Sequence, residues 1–301
     1  MTKSSRIIFF GNERLSTGFT PQGAPTLQAL IAEGYNVIAV VANYEVGTSR
    51  KARTLEIEAV AKKHNIPVLL PAKLSDIHDE LANYNPTVGV LVAYGKIIPQ
   101  SIIDLFPRGI LNIHPSLLPA YRGSTPIEQA ILDGAQKTGV SIMKIVRAMD
   151  AGPIYAQEKL ALHDDESKYE LTERLLALGG KLLLECLPNV LDGSAKSVAQ
   201  NEADATYTSQ ISKADGIIDW QKPAVQLERE IRAYYGWPKS RTTLFGHDVI
   251  VTKARIASSE ADGTLVKPCT PGYLEILELV APSGRTMTGA DFVRGYQKTA
   301  R

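Results

Sequence analysis

Cysteine is scarce in this chain. The 301 residues include two, Cys186 and Cys269, far apart and without metal-ligand or paired spacing. That leaves no framework for a disulfide-stapled scaffold or a zinc module, and points to a reducing cytoplasm with both thiols as core-type residues. An excess of one charge is also missing. Thirty-three Lys and Arg stand against 32 Asp and Glu, a formal net charge of +1, so any contact with RNA has to come from a local patch. No apolar run has the roughly 20 residues of a membrane-spanning helix, and no membrane partner is expected. Residues 1–5 are short and polar, so no signal peptide is expected ahead of a first strand near Arg6. The phosphate-binding pattern G-x-G-x-x-G is absent, which removes the main support for a dinucleotide site. Internal repeats and low-complexity tracts are absent too. What remains is 44% hydrophobic and 22% charged residues, the composition of a globular protein with one large or two ordinary domains.

Along the chain, apolar strands alternate with helical segments. Arg6 to Gly11 reads as a buried strand ending in a glycine turn, and 12–23 as a polar loop ahead of a helix over 26–33. Strands are expected at 35–41, 68–70, 88–92 and 110–114, with helices at 55–64, 75–83 and 99–105. Thr54 is the expected cap of the second helix, with Glu56 and Glu58 near its positive end. This order implies βαβ units and a mainly parallel, Rossmann-like α/β sheet. A short helix at 127–133 and strands at 139–146 and 153–160 follow. A long helix over 167–191 is capped by Ser167, carries a core stripe at Leu171, Leu175, Leu178 and Leu182, and is expected to stop near Pro188 and Gly193. Residues 194–206 turn polar and aperiodic, as linkers do. Beyond them a helix over 224–235 and short strands at 241–244, 248–257, 263–266 and 274–280, closed by a helix over 288–295, suggest a small OB-like β-barrel. The expected organisation is a catalytic domain over 1–193, a linker over 194–206 and an OB-like domain over 207–301.

One stretch carries chemistry. In Ile110-Leu111-Asn112-Ile113-His114 the polar residues lie two apart, so a strand sends both to one face, near its C-terminal end where open α/β sheets place their sites. An imidazole exchanges protons near neutral pH, and an Asn amide donates to an oxygen that gains charge in a tetrahedral intermediate. The pair suits acyl transfer, although N-x-H alone is a weak signal that an ordinary strand end also satisfies. His64, His78, His163 and His247 lie at helix or turn positions where surface roles suffice. One His and one Asp supply too few ligands for a metal, so none is expected.

The wider pattern is more specific. Asn112-Ile113-His114, Ser116-Leu117-Leu118-Pro119, Tyr121-Arg122-Gly123 and Pro126 are followed by Thr138-Gly139-Val140-Ser141-Ile142-Met143 and by Met149-Asp150-Ala151-Gly152-Pro153. Together they resemble the signature of the folate-dependent formyltransferase family, over residues 6 to about 295. Within it the chain is most similar to members that formylate the methionine carried by initiator tRNA. The resemblance implies an Asn112, His114 and Asp150 catalytic set and a folate-flanking loop at Ser116, Leu117, Leu118 and Pro119. It implies 10-formyltetrahydrofolate as formyl donor. It also implies a basic loop, here Arg50, Lys51 and Arg53, that reaches the acceptor arm of methionyl initiator tRNA. The enzyme would be a monomer serving translation initiation. In the loop after the first strand, Asn12 and Glu13 stand where the family usually has Thr and Pro, and extra residues follow. The family's barrel also has a strand between Gly263 and Leu274 for which 264–271 is short.

Three rivals stay open at this level. A sugar-nucleotide N-formyltransferase shares the catalytic motif and the folate, but has no need of a basic RNA-reaching loop. A formyltetrahydrofolate hydrolase shares the motif as well. A catalytically silent RNA-binding module is compatible with the 13 Lys and Arg against 10 Asp and Glu in 205–301, but leaves Asn112, His114 and Asp150 without a purpose.

Overall fold

A computed structural model of the chain describes residues 2–16, 18–19, 21–43, 55–259 and 263–297. The chain divides into two compact units. The first holds Met1–Pro126, Lys137–Ala161 and Thr172–Thr208, and the second Ile127–Gln136, Leu162–Leu171 and Ser209–Arg301. Residues 194–206, expected as a linker, fall within the first unit.

The strands of the first unit are β1 (Ile7–Phe10), β2 (Val37–Val41), β3 (Val68–Leu69), β4 (Val88–Leu91), β5 (Ile110–His114), β6 (Lys137–Lys144) and β7 (Ile154–Ala161). They form one seven-stranded sheet in the order β3-β2-β1-β4-β5-β6-β7. Pairing is parallel from β3 through β5 and antiparallel for β5–β6 and β6–β7. All four residues of β1 are buried, as a strand covered on both faces requires, which is why its sequence shows no alternation. The helices α1 (Pro25–Ala32), α2 (Glu56–Lys63), α3 (His78–Asn83) and α4 (Gln100–Ile103) fall between these strands. Ile8, Phe10, Ala39 and Val41, at period-two positions of β1 and β2, pack with Leu81 of α3, Ile102 and Ile103 of α4, and Phe106.

Local signals explain much of this. α2 has Glu56 and Glu58 in its first turn and Lys62 and Lys63 in its last, which opposes the helix dipole at both ends. Its N-cap is Leu55; Thr54, the expected cap, lies outside the described residues. The helix expected over 75–83 opens instead with a 3-10 turn, Leu74–Ile77, before α3.

Two further helices, α5 (Pro126–Leu132) and α6 (Lys168–Asp192), follow in sequence. Ser167 and Glu170 form a reciprocal capping box at the start of α6, with Ser167 N–H donating to Glu170 Oε2 at 2.8 Å and Glu170 N–H to Ser167 Oγ at 3.4 Å. α6 agrees with the expected helix over 167–191, running through Pro188 to Asp192 just before Gly193. Leu183, Leu187, Val190 and Leu191 are all buried, so apolar packing continues past the proline and outweighs the hydrogen bond its nitrogen cannot donate.

The second unit contains α7 (Ala224–Ala233), the strands β8 (Ser240–Leu244), β9 (His247–Ala257), β10 (Val266–Pro268), β11 (Tyr273–Val280) and β12 (Thr286–Thr288), and α8 (Gly289–Tyr296). The five strands make an antiparallel sheet in the order β10-β11-β9-β8, with β12 also on β11. The strand expected over 263–266 lies at Val266–Pro268, and β12 precedes the closing helix, whose N-cap Thr288 accepts from Asp291 N–H. Leu227 and Ile231 of α7 and Phe292 of α8 pack with Val249, Val251, Leu274, Ile276 and Leu279 of the sheet, a small OB-like core.

Candidate active site

The site is built on β5, the strand at which the parallel part of the sheet turns antiparallel. Asn112 and His114 are two residues apart on it and both are buried. His114 ends the strand. Its Nε2 lies 3.0 Å from the Tyr121 carbonyl oxygen. A carbonyl only accepts, so Nε2 carries the hydrogen, and in the neutral ring the lone pair sits on Nδ1. Nδ1 is 3.8 Å from Asp150 Oδ2, which is ion-pair distance for a protonated ring and longer than a hydrogen bond. The chain thus brings His114 and Asp150, far apart in sequence, to one place, with Asn112 one side-chain repeat back along the strand.

Asp150 is held from several sides. It sits on the loop between β6 and β7 with φ of 47°, a left-handed conformation that a non-glycine residue keeps only when its surroundings specify it. Its Oδ2 accepts from Gly123 N–H at 2.8 Å. Gly123 itself has φ of 114°, and a side chain there would collide with Thr208 Oγ1 at 2.6 Å. Its peptide N–H can therefore be presented to Asp150 only with glycine at this position. The Asp150 and Gly152 carbonyls both accept from Gln200 Nε2, at 2.7 and 2.8 Å.

The sequence leaves the partner of Arg122 open, and the structure supplies it. Arg122 is among the largest fully buried side chains. Its Nε and Nη2 donate to Gln200 Oε1 at 3.1 and 2.9 Å, its Nη2 and Nη1 to the two Glu202 carboxylate oxygens at 2.8 and 2.9 Å, and its Nη1 to Tyr207 Oη at 3.0 Å. The Glu202 hydrogen bonds raise the Arg122 pKa above its ordinary value, and the same bonds hold the Glu202 carboxyl below the usual range. Backbone bonds from Arg122 N–H to Thr206 and from Thr208 N–H to Arg122, both 2.8 Å, fasten the same segment.

The 116–119 loop is largely self-satisfied. Ser116 is wholly buried and its Oγ donates to the Ala120 carbonyl at 2.6 Å. Leu118 is buried; its N–H donates to Ser141 Oγ at 3.1 Å and its carbonyl accepts from Gln157 Nε2 at 2.7 Å. Leu117 and Pro119 are half-buried, with the Leu117 side chain lying against Gly139 of β6. Ser141 lies across β6 from His114, and Gln157 across β7 from Ser141. Sequence reading missed the structural roles of Ser141, Gln157 and Gln200. A polar residue inside the apolar run 140–143 was the available signal for Ser141, and nothing local marks Gln200. Arg50, Lys51 and Arg53 lie outside the described residues. Among the described residues, no group of three or more His, Cys, Asp or Glu is placed to hold a metal ion.

Comparison with known proteins gives the family. The formyl transferase family model matches residues 7–187, and that of the formyl transferase C-terminal domain residues 210–297. The chain belongs to the formyl transferase family. It is similar to the methionyl-tRNA formyltransferase of Chloroflexus aurantiacus, at 36% identity over 306 residues covering 96% of each chain. Among solved structures it resembles the N-formyltransferase from Helicobacter canadensis in complex with folinic acid and dTDP-3-aminofucose. The TM-score is 0.69 at 16% identity, over 91% of this chain and 98% of that one. HypX from Aquifex aeolicus in complex with tetrahydrofolic acid gives a TM-score of 0.66 at 16% identity, over 98% of this chain but 48% of that one, so the chain spans about half its length. At such identities the two structures bear on the fold alone.

Proposed function

We propose that this protein transfers the formyl group of 10-formyltetrahydrofolate to the α-amino group of methionine on initiator tRNA. The observation that carries the chemistry is the His114–Asp150 pair, Nδ1 to Oδ2 3.8 Å, at the end of the strand that also bears Asn112. The choice of acceptor is supported by the likeness to methionyl-tRNA formyltransferases over nearly the full length of both chains.

The neutral amine attacks the formyl carbon, and a C–N bond forms as the carbonyl becomes an oxyanion. Asn112 donates a hydrogen bond to that oxygen, an interaction that strengthens as charge develops. His114 takes the proton released by the amine at Nδ1, because Nε2 is committed to the Tyr121 carbonyl. The Asp150 carboxylate stabilises the positive charge the ring gains. The ring then returns a proton to the leaving nitrogen as its bond to the formyl carbon breaks. The products are the formamide and tetrahydrofolate.

Folate contact is assigned to the loop of Ser116, Leu117, Leu118 and Pro119. Ser116 and Leu118 fix its shape from within, while half-buried Leu117 and Pro119 offer an apolar surface of the kind small-molecule sites use. Arg50, Lys51 and Arg53 are assigned to the tRNA backbone, where each phosphate contact adds salt-sensitive affinity. No described helix is long and apolar enough to cross a membrane, and we place the enzyme in the cytoplasm, where its charged tRNA substrate is made. The test is a formyl-transfer assay with 10-formyltetrahydrofolate and three competing acceptors: charged initiator tRNA, an amino-sugar nucleotide and water. Formyl-methionine should dominate the products. Preferential formylation of the sugar, or release of formate, would overturn the assignment.

A further inference from the structure

We propose that Gln200 is a positioning residue of the formyl-transfer site, clamped by Arg122 so that its amide holds the Asp150 loop in the shape catalysis needs. The inference rests on the role given above to Asp150.

A glutamine side chain has an accepting end and a donating end, and only its partners decide which points where. Here Arg122 decides. Its Nε and Nη2 both donate to Gln200 Oε1, and a guanidinium has no acceptor to offer the other end. The NH2 group must therefore face away from Arg122, and there it meets two carbonyls, those of Asp150 at 2.7 Å and Gly152 at 2.8 Å. Both of its hydrogens are used. The Arg122 charge is buried and is balanced by two bonds to Glu202, so the fork cannot swing away without leaving a buried cation short of acceptors.

The carbonyls that Gln200 holds belong to a loop with no slack. Asp150 is in the left-handed region. Two residues on, a side chain at Gly152 would meet the Lys144 carbonyl oxygen at 1.7 Å, so backbone passes directly against backbone. From the other side, Gly123, the residue after Arg122, donates its N–H to Asp150 Oδ2. Arg122 thus acts on Asp150 twice: through the next peptide onto the carboxylate, and through Gln200 onto the backbone. The Asp150 carboxylate stands 3.8 Å from His114 Nδ1. A loop shift of about 1 Å would change that distance by an amount known to matter for catalysis. The tail that carries Gln200 also pairs with the catalytic fold through Ile154 and Val198, and through Arg122 and Tyr207. Residues 198–208 are therefore a strap that completes the site.

The experiment is a double-substitution cycle on the full-length enzyme with 10-formyltetrahydrofolate and charged initiator tRNA. It compares wild type, Gln200→Leu, Gln200→Glu, Asp150→Ala, and Gln200→Leu combined with Asp150→Ala. Leucine removes both ends of the amide. Glutamate keeps the acceptor for Arg122 but sets a carboxylate oxygen against the two carbonyls, so it tests the donor end in a chain whose Arg122 stays paired. Both single Gln200 variants should lose roughly tenfold or more in kcat with KM for the folate changed less than about twofold, the pattern of a group felt mainly in the transition state. In the Asp150→Ala background the leucine substitution should cost nothing further in kcat, because Gln200 acts through Asp150. A merely structural glutamine would lower kcat by the same factor in both backgrounds, or in step with the folded fraction on melting, and either result overturns the proposal. Full kcat in both single variants overturns it as well. An Asp150→Ala enzyme with wild-type turnover would instead overturn the role of Asp150, and absence of tRNA formylation by wild type the function itself.

Discussion

Glu13 and Leu27 are joined across 14 residues of chain: Glu13 Oε1 accepts the Leu27 N–H at 2.9 Å while its other oxygen accepts the Thr26 N–H at 2.8 Å. The carboxylate thereby caps α1, a helix whose own N-cap position, Ala24, has no side-chain oxygen to offer. Glu13 is completely buried. Replacing it with alanine leaves two buried amide donors at the helix start without acceptors. Stability should fall by about 2 kcal/mol, the order expected for losing a side-chain cap and stranding its donors, as read by urea unfolding of Glu13→Ala against wild type.

The same residue sets a pH dependence. Burial raises the Glu13 pKa above 4.5 despite the two amide bonds, which lower it. The folded protein therefore keeps this proton at pH values where the unfolded chain has released it. The associated stability is full below 4.5 and is lost as pH rises through the folded value. Unfolding free energies of wild type and Glu13→Gln, compared across this range, should show wild type losing ground to the variant as pH rises. Parallel curves would contradict the shift.

His114→Ala and Asp150→Ala should each remain folded and lose roughly 10²-fold or more in turnover, as removal of proton transfer or charge stabilisation implies. Asn112→Ala should lose kcat far more than folate affinity, because its bond strengthens only as the oxyanion forms. Steady-state kinetics alongside thermal melts separates these effects from unfolding.

Glu202 gives a linkage of opposite sign. Its hydrogen bond from Arg122 holds its pKa below the ordinary 4.5, so its contribution to holding the strap is present above that value and is lost as pH falls through the folded one. The stability advantage of wild type over Glu202→Gln should narrow in acid. Proteolysis within 198–208 should speed up in the variant at neutral pH and in wild type only on acidification.

Replacing Arg50, Lys51 and Arg53 by alanine should raise KM for charged initiator tRNA and flatten its salt dependence, by about 0.7 to 0.9 in slope for each phosphate contact removed. Folate KM should barely move. Superimposable salt series for wild type and the triple variant would reduce the loop to solvated surface.

What the sequence determined by itself was whatever short-range pattern encodes. The buried strand at 110–114, the two-residue spacing of Asn112 and His114, and the Ser167–Glu170 capping box all depend on residues within a turn or a strand of one another. So does the alternation of strands and helices that requires a mainly parallel sheet. Only the tertiary structure decided what depends on distant partners. Arg122 had no partner legible in the sequence; Gln200, Glu202 and Tyr207 close over it only in the fold. The polar tail at 194–206 read as a linker because, beyond one short 3-10 turn at Glu202–Asp204, the bonds that hold it in place run to distant residues such as Asp150, Ile154 and Arg122. Glu13 sat in a loop with no visible role until α1 was set against it. The protonated nitrogen of His114 followed only once the Tyr121 carbonyl was placed beside Nε2. Apart from the His114–Tyr121 contact, which spans seven residues of one loop, the deciding interaction is a hydrogen bond between groups that only long-range packing brings together, and its geometry has no signature in the spacing of neighbouring residues.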